Sequence, residues 1–127
     1  MPVISLSVNE KMLTDIDTIQ GEFGFSGRSE VIRAGIRMLI ADIKDREGLT
    51  GTINSVLLLI HDQNVEHIVT EIKHDFEDIT STQIHNHLQG GKCLEIFILD
   101  GDSDRIKHFL KLFQVSGKMD YVKLFIA

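Results

Sequence analysis

The stretch QIHNHLQGGKCLEIFIL, residues 83–99, decides how this chain folds. Its residues alternate in character before the two glycines and are mostly apolar after them, a pattern typical of two β-strands joined by a tight turn. Alternate side chains of a strand share a face, so His85 and His87 project together, roughly 7 Å apart. Cys93 follows the turn, where cross-strand neighbours bring Cβ atoms to about 5 Å. We therefore expect two imidazoles and one thiol within reach of one another.

These three side chains indicate a metal site. Imidazole nitrogen and thiolate sulfur bind divalent metals at roughly 2.0–2.3 Å. Cys93 is the only cysteine of the chain, so it cannot form an internal disulfide and is structural, reactive or a ligand. The neighbouring histidines favour a ligand. The alternative is that two exposed strand histidines lie near an unrelated buried cysteine.

Length and composition limit the class of protein. With 127 residues the chain forms one ordinary domain or two small ones, and its 43% hydrophobic and 25% charged residues are typical of a soluble globular protein. We expect a cytoplasmic protein without a membrane partner, because there is no leader pattern and no apolar run of about eighteen residues. The net charge of −6 argues against non-specific adhesion to nucleic acid, but not against specific binding.

From residue 49 onward, strands and helices alternate. The predicted elements are a strand at 53–61, a helix at 64–78, the two hairpin strands, a helix at 102–115 and a strand at 121–126. This βαββαβ order predicts a ferredoxin-like domain of the ACT-like variety, with both helices on one face of a single sheet. We therefore expect an α+β protein with a second domain over residues 49–127.

The strand that begins at Cys93 has two apolar faces. Its side chains divide between a face with Cys93, Glu95, Phe97 and Leu99 and a face with Leu94, Ile96 and Ile98. We expect the helices to cover the Leu94 face, which leaves the Cys93 face to be covered by another subunit. The metal would then lie at a subunit boundary.

The positions of the remaining histidines in the predicted elements indicate whether their side chains are exposed. His74 lies two residues beyond the inward Ile72, about 200° round its helix, and so points away from its own sheet. If His74 is a ligand, it therefore comes from a neighbouring chain. We expect surface positions for His61, His67 and His108.

The first 48 residues predict a strand and two helices. Residues 3–8 alternate as a half-buried strand, and apolar spacing predicts helices from Asn9 to Phe23 and from Arg28 to Glu47. A lone strand exposes unpaired backbone groups, which the same strand of a second copy would satisfy. We therefore expect this half to dimerise.

The resulting two-stranded ribbon would present Val3, Ser5 and Ser7 on its outer face. A ribbon of this width fits the major groove of B-form DNA, where short hydroxyl side chains can contact base edges. The alternative is that Ser5 and Ser7 are merely solvent-facing strand residues.

The segments ISLSV at 4–8 and GFSGRSEVIR at 24–33 resemble the ribbon-helix-helix repressors. In that family the N-terminus of the second helix binds a DNA phosphate, which is the general anion preference of helix N-termini. By this resemblance, Arg28 and Ser29 would anchor the DNA backbone. Arg28, Arg33 and Arg37 could equally form a solvated helix face.

Over essentially its whole length the chain resembles the NikR-type nickel-responsive transcriptional regulators. The residues that carry the resemblance are RSE at 28–30, His74, HNH at 85–87 and CLEI at 93–96. The resemblance implies a homotetrameric repressor of double-stranded operator DNA, in which two ribbon-helix-helix dimers (residues 1–48) flank a core of metal-binding domains (residues 49–127). It implies one nickel ion per subunit, in a planar site formed by His85, His87 and Cys93 of one chain and His74 of another. Glu95 would support these ligands.

Two positions depart from the family pattern. Val3 stands where some members have a basic residue, so base recognition would depend more on thymine methyl groups or DNA shape. Ala34 stands where relatives have an acidic residue of a second cation site, for which Glu30 is present.

Other functions compete with nickel-dependent repression. One is a metal-binding or metal-storage oligomer whose N-terminal half merely dimerises, which the acidic charge favours. Another is a sensor of a different divalent metal. An enzyme is least expected, because only Glu95 is placed to act as acid or base on a metal-bound water.

Overall fold

The computed structural model describes residues 2–127; Met1, with which the first predicted domain begins, lies outside the described residues. The chain divides into two compact units, one that ends at Glu47 and one from Gly48 to Ala127. Within the described part, no helix has both the length and the apolar character required to cross a membrane.

The N-terminal unit contains two helices, α1 at Glu10–Phe23 and α2 at Arg28–Glu47. Asn9 caps α1, because its side-chain oxygen accepts a hydrogen bond of 2.8 Å from the backbone of Met12. Gly24 ends α1 at a φ of 78°, a left-handed conformation that favours glycine. Both helices were predicted.

Residues 2–9 have no strand assignment within the single chain. Pairing of residues 3–8 with a second copy therefore stays a prediction. Among the described residues of this unit, Ile16 alone is buried, whereas Ile4 is 78% exposed and Leu6 is 52% exposed. One copy of the unit thus lacks an apolar core of ordinary size.

The C-terminal unit is built from four strands and two helices. In chain order these are β1 at Thr52–Asp62, α3 at Glu66–His74, β2 at Thr80–His87, β3 at Lys92–Asp102, α4 at Ser103–Ser116 and β4 at Met119–Ile126. The strands form one sheet in the order β2-β3-β1-β4, with antiparallel neighbours throughout. The predicted α+β class and βαββαβ order are thereby confirmed.

Helix α3 ends earlier than expected. It stops at His74 and not at Asp78. The backbone N–H groups of Asp75 and Phe76 donate to the carbonyls three residues earlier, those of Ile72 and Lys73, which is the pattern of a 3-10 turn. A separate 3-10 turn at Glu77–Ile79 then leads into β2.

Both helices cover the sheet face that carries Cys93. The core contains Leu57 and Leu59 of β1, Phe97 and Leu99 of β3, Val69 of α3, and Phe109 and Phe113 of α4. The expectation that the helices cover the face with Leu94, Ile96 and Ile98 is therefore wrong. The physical reason is the aromatic residue: Phe97 packs edge-to-face on Phe109, with ring centroids 5.3 Å apart, and so buries a large apolar area.

Within the C-terminal unit, Gly48 to Ala127, neither helix covers the opposite face of the sheet. Its large side chains are partly exposed, with Ile98 at 42%, Ile84 at 45%, and Tyr121 and Phe125 each at 48%. We call this surface, which also includes Leu94 and Ile96, the open face. Contiguous apolar surface of this kind is typical of an interaction site.

Candidate metal centre

The hairpin brings the three predicted ligands together. His87 pairs directly with Cys93 across β2 and β3, and His85 pairs with Glu95. The His87 Nδ1 atom lies 3.8 Å from the Cys93 sulfur, and the rings of His85 and His87 have centroids 5.2 Å apart. Ligand atoms of His85, His87 and Cys93 all lie within 4.8 Å of one another.

The tight turn between these strands depends on two glycines. Gly90 and Gly91 have φ angles of 77° and 74°, which residues with a Cβ rarely adopt. The turn fixes the register of β2 and β3, and the register places Cys93 opposite His87.

His61 is part of this centre and was missed by the sequence analysis. The expectation of a surface position for His61 is wrong, because its side chain is fully buried and pairs with Cys93 across β1 and β3. Its Nδ1 lies 2.7 Å from the backbone oxygen of Asp62, and its Nε2 lies 2.5 Å from Oε2 of Glu95. The useful signal was strand alternation, since Leu57, Leu59 and His61 share one face of β1.

Glu66, in the first turn of α3, was also missed. Its Oε2 lies 3.3 Å from Nε2 of His61 and 3.7 Å from Nε2 of His85. Burial raises the pKa of the Glu66 carboxyl, and the nearby charge of Glu95 raises it further. No local sequence pattern marks Glu66, because the helix-to-sheet packing brings it to the site.

Glu95 is held beneath the cluster from two sides. Its Oε1 accepts a hydrogen bond of 2.8 Å from Gln83, and the oxygen of Gln83 accepts one of 3.1 Å from Lys73. With His61 on its other oxygen, the fully buried Glu95 links β1, β2 and β3. This position agrees with a supporting role.

The electrostatics favour a protonated centre in the absence of metal. Burial disfavours the charged ring of His61, but the Asp62 carbonyl and the Glu95 carboxylate together raise its pKa above the ordinary value. Burial also raises the pKa of the Cys93 thiol, and the charges of Glu66 and Glu95 add to this effect. A bound cation would therefore have to displace the thiol proton.

His74 does not join the cluster of its own chain. It is the last residue of α3, its side chain is 79% exposed, and its Nδ1 lies 3.5 Å from a carboxylate oxygen of Glu77. Among residues 2–127, the clusters of His, Cys and Glu side chains that are close enough to bind a metal ion do not include His74. The structure thus keeps His74 apart from Cys93 of its own chain, and its role as a ligand to another chain's metal stays a prediction.

The segment after His74 is fixed by Arg105 of α4. The Arg105 guanidinium donates a 2.6 Å hydrogen bond to the carbonyl of Asp75 and a 2.7 Å hydrogen bond to Asp78. It also lies 4.2 Å from the centroid of the Phe76 ring. Arg105 therefore holds the chain directly after the His74 helix.

The other predicted site residues belong to the N-terminal unit. Val3, Ser5, Ser7 and Ser29 are exposed. Arg28 is not free in the single chain, because it donates hydrogen bonds of 2.8 Å and 3.0 Å to Asp17.

Glu30, the predicted residue of a second cation site, is paired within α2. Its two oxygens accept hydrogen bonds from Arg33 at 3.1 Å and Arg37 at 2.6 Å. A cation bound at Glu30 would compete with both guanidinium groups.

Comparisons of the sequence with known proteins identify the family of this chain. Residues 54–127 match the family model described as "NikR C terminal nickel binding domain". The chain belongs to the NikR family. A Methanocaldococcus jannaschii protein is 35% identical over 98% of this chain and 90% of its own length, and a Haloarcula marismortui protein is 31% identical over 87% and 81%, respectively. Both are named "Putative nickel-responsive regulator".

The family consists of regulators, so the prediction that this protein is not an enzyme is confirmed. Among solved structures, an uncharacterized protein from Thermotoga maritima superposes with a TM-score of 0.55. That likeness covers 60% of this chain and 98% of the other, at 14% sequence identity, and shows the fold alone.

Proposed function

We propose that this nickel-responsive regulator is a DNA-binding repressor whose operator affinity rises when nickel binds its C-terminal unit. The observation that carries the proposal is the convergence of His85, His87 and Cys93 within a NikR-family domain. Two imidazoles and a thiolate suit nickel, copper and zinc, and the order of affinities places copper above nickel. Selection of nickel must therefore come from geometry and not from affinity alone.

The residues present fit a nickel ion shared between subunits. His85, His87 and Cys93 would hold the ion from one chain, and His74 of a second chain would complete the set with one ion per subunit. When bound, nickel supplies a fixed link between the two chains. Glu95, held by Gln83 and His61, keeps the ligand strands in register.

The proposed assembly is a homotetramer, a dimer of dimers. The N-terminal unit buries Ile16 alone among its described side chains, so a second copy would supply the missing core through a ribbon of residues 3–8. The open face of the C-terminal unit offers a separate apolar surface for the second association. Two different two-fold interfaces in one chain allow a dimer of dimers.

The DNA interface would lie on the paired N-terminal units. Val3, Ser5 and Ser7 would face base edges, and the N-terminus of α2 with Arg28 and Ser29 would hold a phosphate. Arg28 would keep its pair with Asp17 or exchange it for a phosphate oxygen. Nickel strengthens operator binding only if it binds the DNA-competent arrangement more tightly than others, which a link through His74 provides.

A metal-storage oligomer is the second candidate, favoured by the net charge of −6. The test is selection from a pool of random DNA duplexes by full-length protein, once with nickel and once with chelator. We expect enrichment of a palindromic sequence with nickel and loss of its binding in Cys93→Ala. Stoichiometric nickel binding without any enriched duplex would favour storage, and equal enrichment with another divalent ion would favour a different metal signal.

A further inference from the structure

A chain of hydrogen bonds joins the end of α3 to the carboxylate beneath the metal centre. Nζ of Lys73 donates to Oε1 of Gln83 at 3.1 Å, and Nε2 of Gln83 donates to Oε1 of Glu95 at 2.8 Å. Lys73 directly precedes His74, and Glu95 pairs with His85 across β2 and β3. The chain of bonds therefore connects the helix end that carries one predicted ligand with the strands that carry the other three.

These hydrogen bonds have a fixed direction. The ammonium group of Lys73 can only donate, and the ionised carboxylate of Glu95 can only accept. The amide of Gln83 must therefore present its oxygen to the lysine and its nitrogen to the glutamate. Each bond in such a chain supports the next one. Lys73 thus orients the amide that satisfies the fully buried Glu95.

The position of His74 depends on the backbone of the last turn of α3. Its side chain is 79% exposed, and the Glu77 side chain beside it is 78% exposed. An ion pair between exposed groups fixes a side chain only weakly. A groove at the end of α3 is lined by Lys73, Glu77, Thr80, Gln83 and Phe97. Packing is therefore incomplete here, and the bond from Lys73 to Gln83 is the polar link between the last helical turn and β2.

We propose that Lys73 and Gln83 are positioning residues, which hold His74 at the place from which it reaches the metal of another chain. The inference rests on the proposed function, in which His74 is a nickel ligand and the subunits associate through the sheet. In such an assembly, His74 meets the other ligands only if the end of α3 has a fixed place relative to its own sheet. The path from Lys73 to Glu95 supplies this fixed place, because Glu95 is also bonded to His61 of β1.

The first measurement needs no metal. Lys73→Met keeps the length of the side chain but cannot donate, Lys73→Arg keeps a donor, and Lys111→Met, at an exposed lysine of α4, is the matched control. In full-length protein with chelator, Lys73→Met should speed hydrogen exchange of the Asp75 and Phe76 amides, which bond back to the last turn of α3. Exchange in α4 should not change. Lys73→Arg should restore the protection, and Lys111→Met should leave it as it is.

The second measurement is nickel affinity, by competition with a chelator. Lys73→Met should weaken nickel binding by about tenfold or more, as is usual when a group that supports a metal ligand is removed. In a His74→Ala background the same substitution should add no further loss, because the ligand that Lys73 positions is absent. Gln83→Met should also weaken nickel binding, and the double variant with Lys73→Met should lose no more than the weaker-binding single variant.

The outcomes separate this inference from the proposed function. Unchanged exchange or unchanged nickel affinity in Lys73→Met would overturn the inference. Equal losses from Lys73→Met with and without His74 would also overturn it, since a general loss of stability does not depend on the background. Unchanged nickel affinity in His74→Ala would instead refute the shared nickel site, while hydrogen exchange still tests the link from Lys73 to Gln83. Melting curves check that each variant is folded, and the Lys73 variants suffice if Gln83→Met does not fold.

Discussion

His61 Nε2 lies 2.5 Å from Oε2 of Glu95, and both side chains are fully buried. A buried carboxylate is tolerated only when hydrogen bonds satisfy it, and Gln83 supplies a second bond to the other oxygen. Three strands are joined through Glu95, directly beneath the side chains of the metal centre. The network therefore ties β2 to β3, the two strands that carry His85, His87 and Cys93, before any ion is present.

The Arg105–Asp78 pair predicts an acid-dependent loss of stability. The Arg105 hydrogen bond lowers the pKa of Asp78 below its ordinary value of 3.8, with a smaller contribution from the guanidinium charge. A lowered carboxyl pKa contributes stability that is present above the unfolded value and is lost as pH falls through the folded value. Asp78→Asn should therefore melt below the unaltered protein at pH 7, and the difference should shrink as the pH falls below 3.8 and vanish once the pH lies below the lowered pKa of Asp78.

Melting curves recorded by circular dichroism across this pH range, with chelator present, measure the effect. Asp100→Asn, an exposed aspartate on β3, is the control. A difference that persists unchanged at the lowest pH would show that the Arg105 pair is not its source.

Position 101 has no room for a side chain, because Ile79 of the turn before β2 packs against it. A Cβ at Gly101 would lie 2.6 Å from Cγ2 of Ile79, a side chain that is 4% exposed. Gly101→Ala should destabilise the unit by about 1–3 kcal/mol, because a packed core does not accept an added methyl group. In an Ile79→Ala background the same substitution should cost much less, since the clashing atoms are gone. Denaturant titration of the four proteins measures the coupling, and additive costs would contradict the assigned steric conflict.

Period-two patterns explain why the hairpin was predictable. The alternation around His85 and His87, with glycines that permit positive φ, determines two strands and their turn locally. Cys93 then follows from the register, without knowledge of the rest of the fold. The proximity of His85, His87 and Cys93, the proposed nickel ligands of a single chain, was thus predictable from the sequence.

The covered face of β3 was not predictable in the same way. Both Phe97 and Ile98 are large and apolar, so alternation alone does not say which one the helices bury. The contribution of His61 and Glu66 depends on β1 pairing with β3 and on the packing of α3, both of which join residues distant in sequence. Such contacts are set by tertiary structure: the alternation along β1 indicates that His61 is buried, but no local pattern indicates that it meets Cys93 and Glu66.

If residues 3–8 form the proposed ribbon, the hydroxyl groups of Ser5 and Ser7 should contribute to DNA binding. Ser5→Ala with Ser7→Ala should weaken specific DNA binding by about 1–3 kcal/mol for each hydroxyl that bonds to a base, because the polar group on that base edge is left without a partner. Metal binding and oligomer size should not change. Gel-shift titration with the selected duplex measures the affinity, and Ser81→Ala, an exposed serine of β2, is the control. Unchanged operator affinity in the double variant would remove the ribbon hydroxyls from the mechanism.

The open face predicts how the C-terminal units associate. Ile98→Lys places a charge on a side chain that is 42% exposed in one chain, so the unit should fold but fail to form the tetramer. Val115→Lys, on a residue that is 71% exposed at the end of α4, is the matched control. Light scattering should find dimers for Ile98→Lys and tetramers for Val115→Lys. A fragment of residues 49–127 should still oligomerise, and a monomeric fragment would contradict an interface in this unit.

We expect nickel and zinc to change operator affinity differently even when they occupy the protein equally. In the proposed planar site, nickel would link subunits through His74 of another chain, whereas zinc prefers a tetrahedral set of ligands. An ion changes operator affinity only through its differential affinity for the two arrangements of the protein. We therefore expect nickel–thiolate charge-transfer absorption that Cys93→Ala abolishes and His67→Ala, an exposed control, retains. At equal occupancy, nickel should strengthen operator binding more than zinc does, as measured by gel shift beside equilibrium dialysis. Equal enhancement by both ions would refute selection by geometry while leaving the ligand cluster intact.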